Sequence, residues 1–232
     1  MMLENLRFWP GEEKNNSAFA KKLASRGDIF VNEAFAASHR EHASIVGLAE
    51  HLPSYVGLHF AQEVKELGGV LENPDRPLIF ILGGAKTETK VSLVKDFAKV
   101  ADRILLGGLL MFHNELERIP KVLFPVDAVE TYDIGPKSIK LFLEEIGRAR
   151  TIVWNGPLGK WEDKPYSRST RVIAGELAKA DARTVVGGGD TIAALSAFGH
   201  LEGMDYISLG GGAMLEFLAG KKLPGLEALG YY

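Results

Sequence analysis

The 232-residue chain contains no cysteine. Disulfide staples and thiolate catalysis are therefore excluded, and the absence is compatible with the cytoplasm, where the protein is expected. It also lacks an excess of either charge: 27 Lys and Arg face 30 Asp and Glu, a net charge of −3. Nucleic-acid binding usually shows as a basic surplus, so that partner class is set aside. No apolar stretch is long enough to span a bilayer. The opening Met1–Arg7 has neither the basic nor the apolar region of a secretory signal. No membrane partner is expected, and the protein is expected to be a monomer. Internal repeats and low-complexity tracts are absent. So are two familiar phosphate signatures, Gly-x-x-x-x-Gly-Lys-Ser/Thr and Gly-x-Gly-x-x-Gly. The remaining composition is that of an ordinary folded chain, 46% hydrophobic and 25% charged, long enough for one large domain or two small ones.

What is plentiful is glycine, and its placement matters more than its number. Three apolar runs feed glycine-rich turns: Leu78–Leu82 into Gly83-Gly84-Ala85-Lys86, Thr184–Val186 into Gly187-Gly188-Gly189-Asp190-Thr191, and Tyr206–Leu209 into Gly210-Gly211-Gly212. Each reads as a buried strand, a turn without side chains and the start of a helix. Such a turn turns backbone N–H groups toward an anion at a helix N-terminus and lets a phosphate approach where a Cβ would block it. Three in one chain, beside two lysines and an aspartate, point to a polyphosphate ligand.

From residue 76 onward strands and helices alternate. Strands are predicted at Leu78–Leu82, Ile104–Leu106, Val122–Val126, Thr151–Trp154, Thr184–Val186 and Tyr206–Ser208, with helices at Glu88–Val100, Ser138–Ile146 and Ser169–Ala180. That alternation predicts an α/β fold with a doubly wound parallel sheet, its ligand beyond the carboxyl ends of the strands. Residues 1–56 read as a partial second α/β domain: strands at Leu3–Phe8 and Asp28–Asn32, helices at Ser17–Arg26 and Ser44–Leu52. Residues 57–75 read as a connector whose helix, Leu58–Leu67, is ended by Gly68-Gly69. Residues 76–220 form the nucleotide-binding domain in this reading, and 221–232 a C-terminal tail.

Lys86 and Lys90 are one helical turn apart, so both ammonium groups can lie near one anion. Asp190 can hold Mg²⁺ bridging phosphate oxygens; alone, an aspartate after glycines would be read as a helix cap. The segment Trp154-Asn155-Gly156-Pro157-Leu158-Gly159-Lys160-Trp161-Glu162 ends a strand in a tight turn. Glu162 can accept from a ribose and Pro157 can pack on a purine. On local chemistry a plain strand-ending turn explains the segment equally well. Asp133–Ser138 is a tight turn into a helix, ambiguous by itself.

Gly83–Lys90, Trp154–Glu162, Gly187–Thr191 and Gly210–Glu216 together resemble the phosphoglycerate kinase family. So do Leu3–Phe8, Val31–Phe35, Ser38-His39-Arg40, Asp133–Lys137 and Leu223-Pro224-Gly225, all in the family's order. The resemblance implies two doubly wound domains and transfer of phosphate between 1,3-bisphosphoglycerate and ADP–Mg²⁺, giving 3-phosphoglycerate and ATP. By it, Lys90 contacts the transferring phosphate and Lys86 assists. Gly187, Gly188, Gly189, Asp190 and Thr191 hold the nucleotide phosphates, with Asp190 on the metal. Glu162 contacts the ribose, Asn155 and Pro157 belong to the nucleotide site, and Gly83, Gly84, Gly107, Gly135, Gly211 and Gly212 line it. Arg7 and Arg40 bind the phosphate of phosphoglycerate, a task suited to guanidinium forks.

The chain also departs from the family. The N-terminal section, with the arginine that stabilises the transferred phosphate, is expected to be missing, and the stretch between Met111 and Asp133 is shortened. Gly107-Gly108-Leu109 replaces a three-glycine run. Glu33 stands where the family usually has aspartate, and Leu209 where it has threonine. Low turnover with retained nucleotide affinity is the expectation. The alternative is a non-catalytic Mg-nucleotide-binding module.

Overall fold

The computed structural model describes residues 2–232. The chain divides into two compact units, Met1–Gly68 with Gly212–Tyr232, and Gly69–Gly211. Along the chain the elements are α1 (Pro10–Glu13), α2 (Ser17–Ala24), β1 (Phe30–Asn32), β2 (Ser54–Val56), α3 (Leu58–Glu72), β3 (Leu78–Leu82), α4 (Glu88–Val100), β4 (Arg103–Leu106), β5 (Val122–Leu123), β6 (Ala128–Val129), β7 (Asp133–Ile134), α5 (Pro136–Ile146), β8 (Thr151–Asn155), α6 (Arg168–Leu177), β9 (Arg183–Gly187), α7 (Gly189–Ala197), β10 (Tyr206–Ser208), α8 (Gly212–Leu218) and α9 (Pro224–Ala228).

In the first unit β1 and β2 form a two-stranded parallel pair. Asn16 caps α2 by accepting from the Phe19 N–H. The strand expected at Leu3–Phe8 is instead a single 3₁₀ turn, Leu6–Phe8, because the Asn5 side chain accepts from Arg7 N and bends the chain. The helix expected at Ser44–Leu52 shrinks to Gly47–Glu50. Buried Glu12 anchors the start of this segment: its carboxylate accepts from both the backbone N–H and the hydroxyl of Ser44, and its carbonyl accepts from Ala43 N.

Helix α3 runs through Gly68-Gly69 to Glu72 rather than stopping there. Interior glycine costs a helix only about 1 kcal/mol, and Leu67 and Val70 on either side are fully buried. The expected C-terminal tail, 221–232, is also corrected. Leu223 and Leu226 are buried, and Gly225 N donates to Ser38 O at 2.8 Å. Helices α8 and α9 thus belong to the first unit; its first boundary falls at 68/69, inside the expected connector, and its second at 211/212 instead of 220.

The second unit is built on a six-stranded sheet in the order β10-β9-β8-β3-β4-β5, every pair parallel. Counted from β3, the strand order is 3-2-1-4-5-6, the doubly wound arrangement. The progression of the strand order reverses between β3 and β8, and that switch point is where such sheets bind ligands. Both faces are covered, which is why the strands are continuous apolar runs. Ile79, Ile81, Ile152, Trp154 and Val186 pack with Phe142 and Ile146 of α5 and Ile173 and Leu177 of α6. On the other face Phe80 stacks on Phe97 of α4, ring centroids 4.7 Å apart. β5 stops at Leu123, short of the expected Val126, because Pro125 cannot donate to the ladder and the Val126 and Asp127 N–H groups are taken by the Ser138 hydroxyl.

Candidate functional site

At the switch point β3 and β8 end in register, Leu82 opposite Asn155. Their turns are laced to each other and to the turn after β4. Gly83 N donates to Asn155 O, Gly84 N to Pro157 O, Gly108 N to Leu158 O, and Leu109 N to Gly84 O, at 2.7 to 3.1 Å. This mesh is tight enough to require glycine. Gly156 has φ +94°, and a Cβ there would lie 2.1 Å from Gly83 O. The next turn differs. A Cβ on Gly189, at the start of α7, would meet nothing within 4 Å. Here the absent side chain leaves open space at a helix N-terminus, the setting that admits an anion.

Lys90 points back from α4 into the mesh. Its Nζ donates to Gly83 O at 2.6 Å and to Asn155 O at 3.1 Å, and the residue is buried. Burial lowers its pKa to about 8; the negative charge of Asp190 opposes that shift and the positive charge of Lys86 adds to it. The three charged groups expected to act together therefore sense one another. Lys86 itself is exposed.

Asp190 lies exposed in the first turn of α7, and its carboxylate is not spent on capping, since Gly188 holds the N-cap position without a side-chain bond. Thr191 is buried, and its hydroxyl accepts from Gly156 N at 2.7 Å. It ties α7 to the turn after β8 instead of facing solvent. Asn155 is buried too. Its Nδ2 lies beside Gly188 and has no hydrogen-bond partner among the described residues.

A pocket of about 340 Å³ opens over these turns. Of the residues expected at the site, Gly84, Pro157, Glu162 and Asp190 line it. Gly107 and Gly135 do not. Gly107 is glycine because the Leu158 side chain packs against it, and Gly135 because the Asp127 carboxylate does. That carboxylate accepts from the Lys137 and Ser138 N–H groups that open α5. Gly187, the buried last residue of β9, and Gly211, which faces open space at φ +49°, also lie outside the lining.

Tyr132 and Trp161 line the pocket without having been named as site residues in the sequence, and so does Leu109, marked there only as a departure from a three-glycine run. Trp161 sits inside a segment already marked for its turn and its acid. Tyr132 carried no signal, because it depends on the β6–β7 hairpin that the sequence pattern did not reveal. Asp133, next to it, is buried, and desolvation raises its pKa against the hydrogen bonds from Ser169 and Ile134.

A larger hollow of about 790 Å³ lies at the opposite, amino edge of the sheet, lined by charged residues such as Arg76, Arg150 and Asp181. Its arginines are already engaged: Arg76 with Asp102 at 2.8 Å and Arg150 with Asp181 at 3.1 Å. The carboxyl edge, with open glycine backbone and an unpartnered amide, is the better place for a phosphate.

Arg7, Arg40 and Gly212 belong to the first unit. Both arginines are exposed and make no ion pair among the described residues. Beside Arg40, burial lowers the pKa of His39, with the charge of Glu216 opposing.

No group of three or more His, Cys, Asp or Glu side chains able to hold a metal exists among the described residues. A magnesium ion here would rest on Asp190 and on phosphate oxygens. That fits the ion's habit of binding through one or two carboxylates plus substrate, and the exposed Asp190 beside the open Gly189 backbone suits it.

Comparison with known proteins places this geometry. A family model described as phosphoglycerate kinase matches residues 1–116 and 113–221. The phosphoglycerate kinase of Rubrobacter xylanophilus is 39% identical over 276 residues, covering 99% of this chain and 70% of the relative. That of Chlorobium phaeobacteroides is 40% identical over 283 residues, covering 99% and 71%. Both alignments are longer than the chain itself, so the relatives carry residues within the matched range that this chain lacks. Among solved structures, phosphoglycerate kinase from Coxiella burnetii superposes with a TM-score of 0.84 at 33% identity, covering 98% of this chain and 72% of that one. The enzyme from Pyrococcus horikoshii gives 0.86 at 31%, with the same coverage. This chain belongs to the phosphoglycerate kinase family.

Proposed function

We propose that the chain binds Mg²⁺–ADP or Mg²⁺–ATP at the β3/β8 switch point and transfers phosphate between 1,3-bisphosphoglycerate and ADP. The observation that carries this is the convergence, at one sheet edge, of the open Gly189 backbone, the free Asp190 carboxylate, the orphan Asn155 amide and the Lys86–Lys90 pair. Phosphoryl transfer asks the protein chiefly to position the phosphates and neutralise their charge. In this reading the N–H groups at the start of α7 and Asn155 Nδ2 donate to nucleotide phosphate oxygens. Asp190 would hold a magnesium ion, which would offset the charge of those oxygens. Lys86 and Lys90 neutralise the phosphate in transfer, and Glu162, exposed on the pocket wall, accepts from the ribose. Arg7 and Arg40 hold the phosphate of phosphoglycerate. The protein works as a monomer in the cytoplasm; no helix among the described residues is long and apolar enough to cross a membrane.

A coupled assay tests the proposal. 3-Phosphoglycerate and Mg²⁺–ATP are supplied, and the 1,3-bisphosphoglycerate formed is drawn off by a dehydrogenase that oxidises NADH. The expected result is a slow, magnesium-dependent loss of NADH that Asp190→Ala abolishes. Nucleotide binding with no transfer at all would leave a Mg-nucleotide-binding module.

A further inference from the structure

The pocket wall that carries Lys160, Trp161 and Glu162 is a turn without helix or strand, so something outside it must hold its shape. Behind it lies Asp133, 1% exposed and not part of the pocket lining. A buried carboxylate usually has a cation beside it. Here burial raises the pKa and only hydrogen bonds oppose that shift. The Ile134 N–H donates at 2.9 Å, the Ser169 N–H at 3.2 Å, and the Ser169 hydroxyl donates as well. Ser169 lies in the first turn of α6, whose N-cap residue Ser167 makes no side-chain cap bond. Asp133 therefore supplies that helix end with its acceptor, and its charge meets the positive end of the helix dipole. On its other flank the carboxylate rests on the wall itself: a Cβ on Gly159 would lie 2.2 Å from Asp133 Oδ1. The residues next to Asp133 and Ser169 grip the same turn. Lys160 N donates to Tyr132 O at 2.8 Å, and Leu158 N to the Thr170 hydroxyl at 3.1 Å. The β6–β7 hairpin and α6 thus hold the wall from two sides, and Asp133 is the group that joins the two holds.

We propose that Asp133 is a positioning residue for the reaction: by joining the β6–β7 hairpin to the start of α6, it fixes the turn at residues 158–163 in its ligand-ready place without touching the ligand itself. This rests on the nucleotide reading above. Asn in place of Asp133 keeps the shape but turns an amide N–H₂ toward donors. One buried donor is then left without an acceptor, enough to shift a local equilibrium about tenfold. A wall that is in place only a tenth of the time lowers the apparent affinity by the same factor, about ten.

Two measurements on the full chain, on Asp133→Asn and on Ser169→Ala test it: calorimetric titration with Mg²⁺–ADP, and hydrogen exchange read separately over residues 158–163 and over the glycine turn at 187–191. Asp133→Asn should weaken Mg²⁺–ADP about tenfold and speed exchange over 158–163, while 187–191 exchanges as in the parent. Ser169→Ala, which removes one donor and keeps the carboxylate, should act in the same direction but less, about threefold. A purely structural role would speed exchange in both segments alike, and that result overturns the assignment. So does faster exchange over 158–163 with ADP affinity unchanged, or no change in either measurement. If Asp133→Asn does not fold, Ser169→Ala decides alone: faster exchange confined to 158–163 with weaker ADP binding supports the assignment, and unchanged ADP affinity overturns it. If the parent itself binds no ADP, the nucleotide reading fails, and this assignment with it.

Discussion

Lys90 shows how far a single residue can be read from its neighbours in sequence. Its spacing from Lys86 announced a shared anion, and the two charges do sense each other. What spacing could not announce is where Nζ goes, because Gly83 O and Asn155 O are 7 and 65 residues away and meet only once β3 and β8 pair. The consequence is measurable. With a pKa near 8 against the ordinary 10.5, Lys90 has lost its proton in the folded protein at pH values where the unfolded chain still carries it. Stability therefore rises with pH between about 8 and 10.5 by the share of this one group, and that gain is absent below pH 8. An NMR titration of the ε-amine, assigned by its loss in Lys90→Met, should give a midpoint near 8 for the ligand-free protein. A midpoint above 10 would mean that the ammonium is solvated and not tied to the strand ends. The same limit applies to Thr191, which the family resemblance places at the nucleotide phosphates: its hydroxyl accepts from Gly156 N, a partner set by the β8–β9 register.

At the scale of elements, the legible parts were those whose burial is two-sided. β3 is a buried apolar run throughout, and β8 and β9 have buried apolar centres; the alternation of such runs with amphipathic helices is the signature of a doubly wound sheet. β2 and the β6–β7 hairpin were invisible for the opposite reason: Tyr55, Val56 and Val129 are exposed, so no burial pattern marks them. Three turns laced by backbone hydrogen bonds are the element most sensitive to change. Gly156→Ala must put a Cβ 2.1 Å from Gly83 O at a φ of +94°, a backbone clash that no rotamer relieves. It should cost about 3 kcal/mol or more, combining strain with disruption of the mesh. Urea denaturation reads that cost directly. A loss under about 1 kcal/mol would mean that the turns can separate freely and are not the rigid frame of the site.

For the molecule as a whole, the sheet order followed from the alternation of elements, and with it the edge where a ligand belongs. The division into units did not follow in the same way. Residues 221–232 were expected to form a C-terminal tail. Leu226 on a five-residue helix and Leu223 at its N-cap, both buried, are too few to stand out from a surface segment, yet they dock this segment into the first unit. Long-range returns of this kind leave little local periodicity. The second unit, by contrast, carries the groups proposed to meet the nucleotide on one edge of one sheet.

That edge can be tested by titrating the protein with ADP in a calorimeter, with and without Mg²⁺, and repeating both titrations on Asp190→Ala. Saturable binding strengthened by Mg²⁺ is expected, with the substitution removing most of the metal-dependent gain, about tenfold or more in affinity, and sparing the metal-free part. A folded protein that takes up no nucleotide at millimolar concentration, or one whose metal-dependent binding survives the loss of the Asp190 carboxylate, would contradict a Mg-nucleotide site at the β3/β8 switch point.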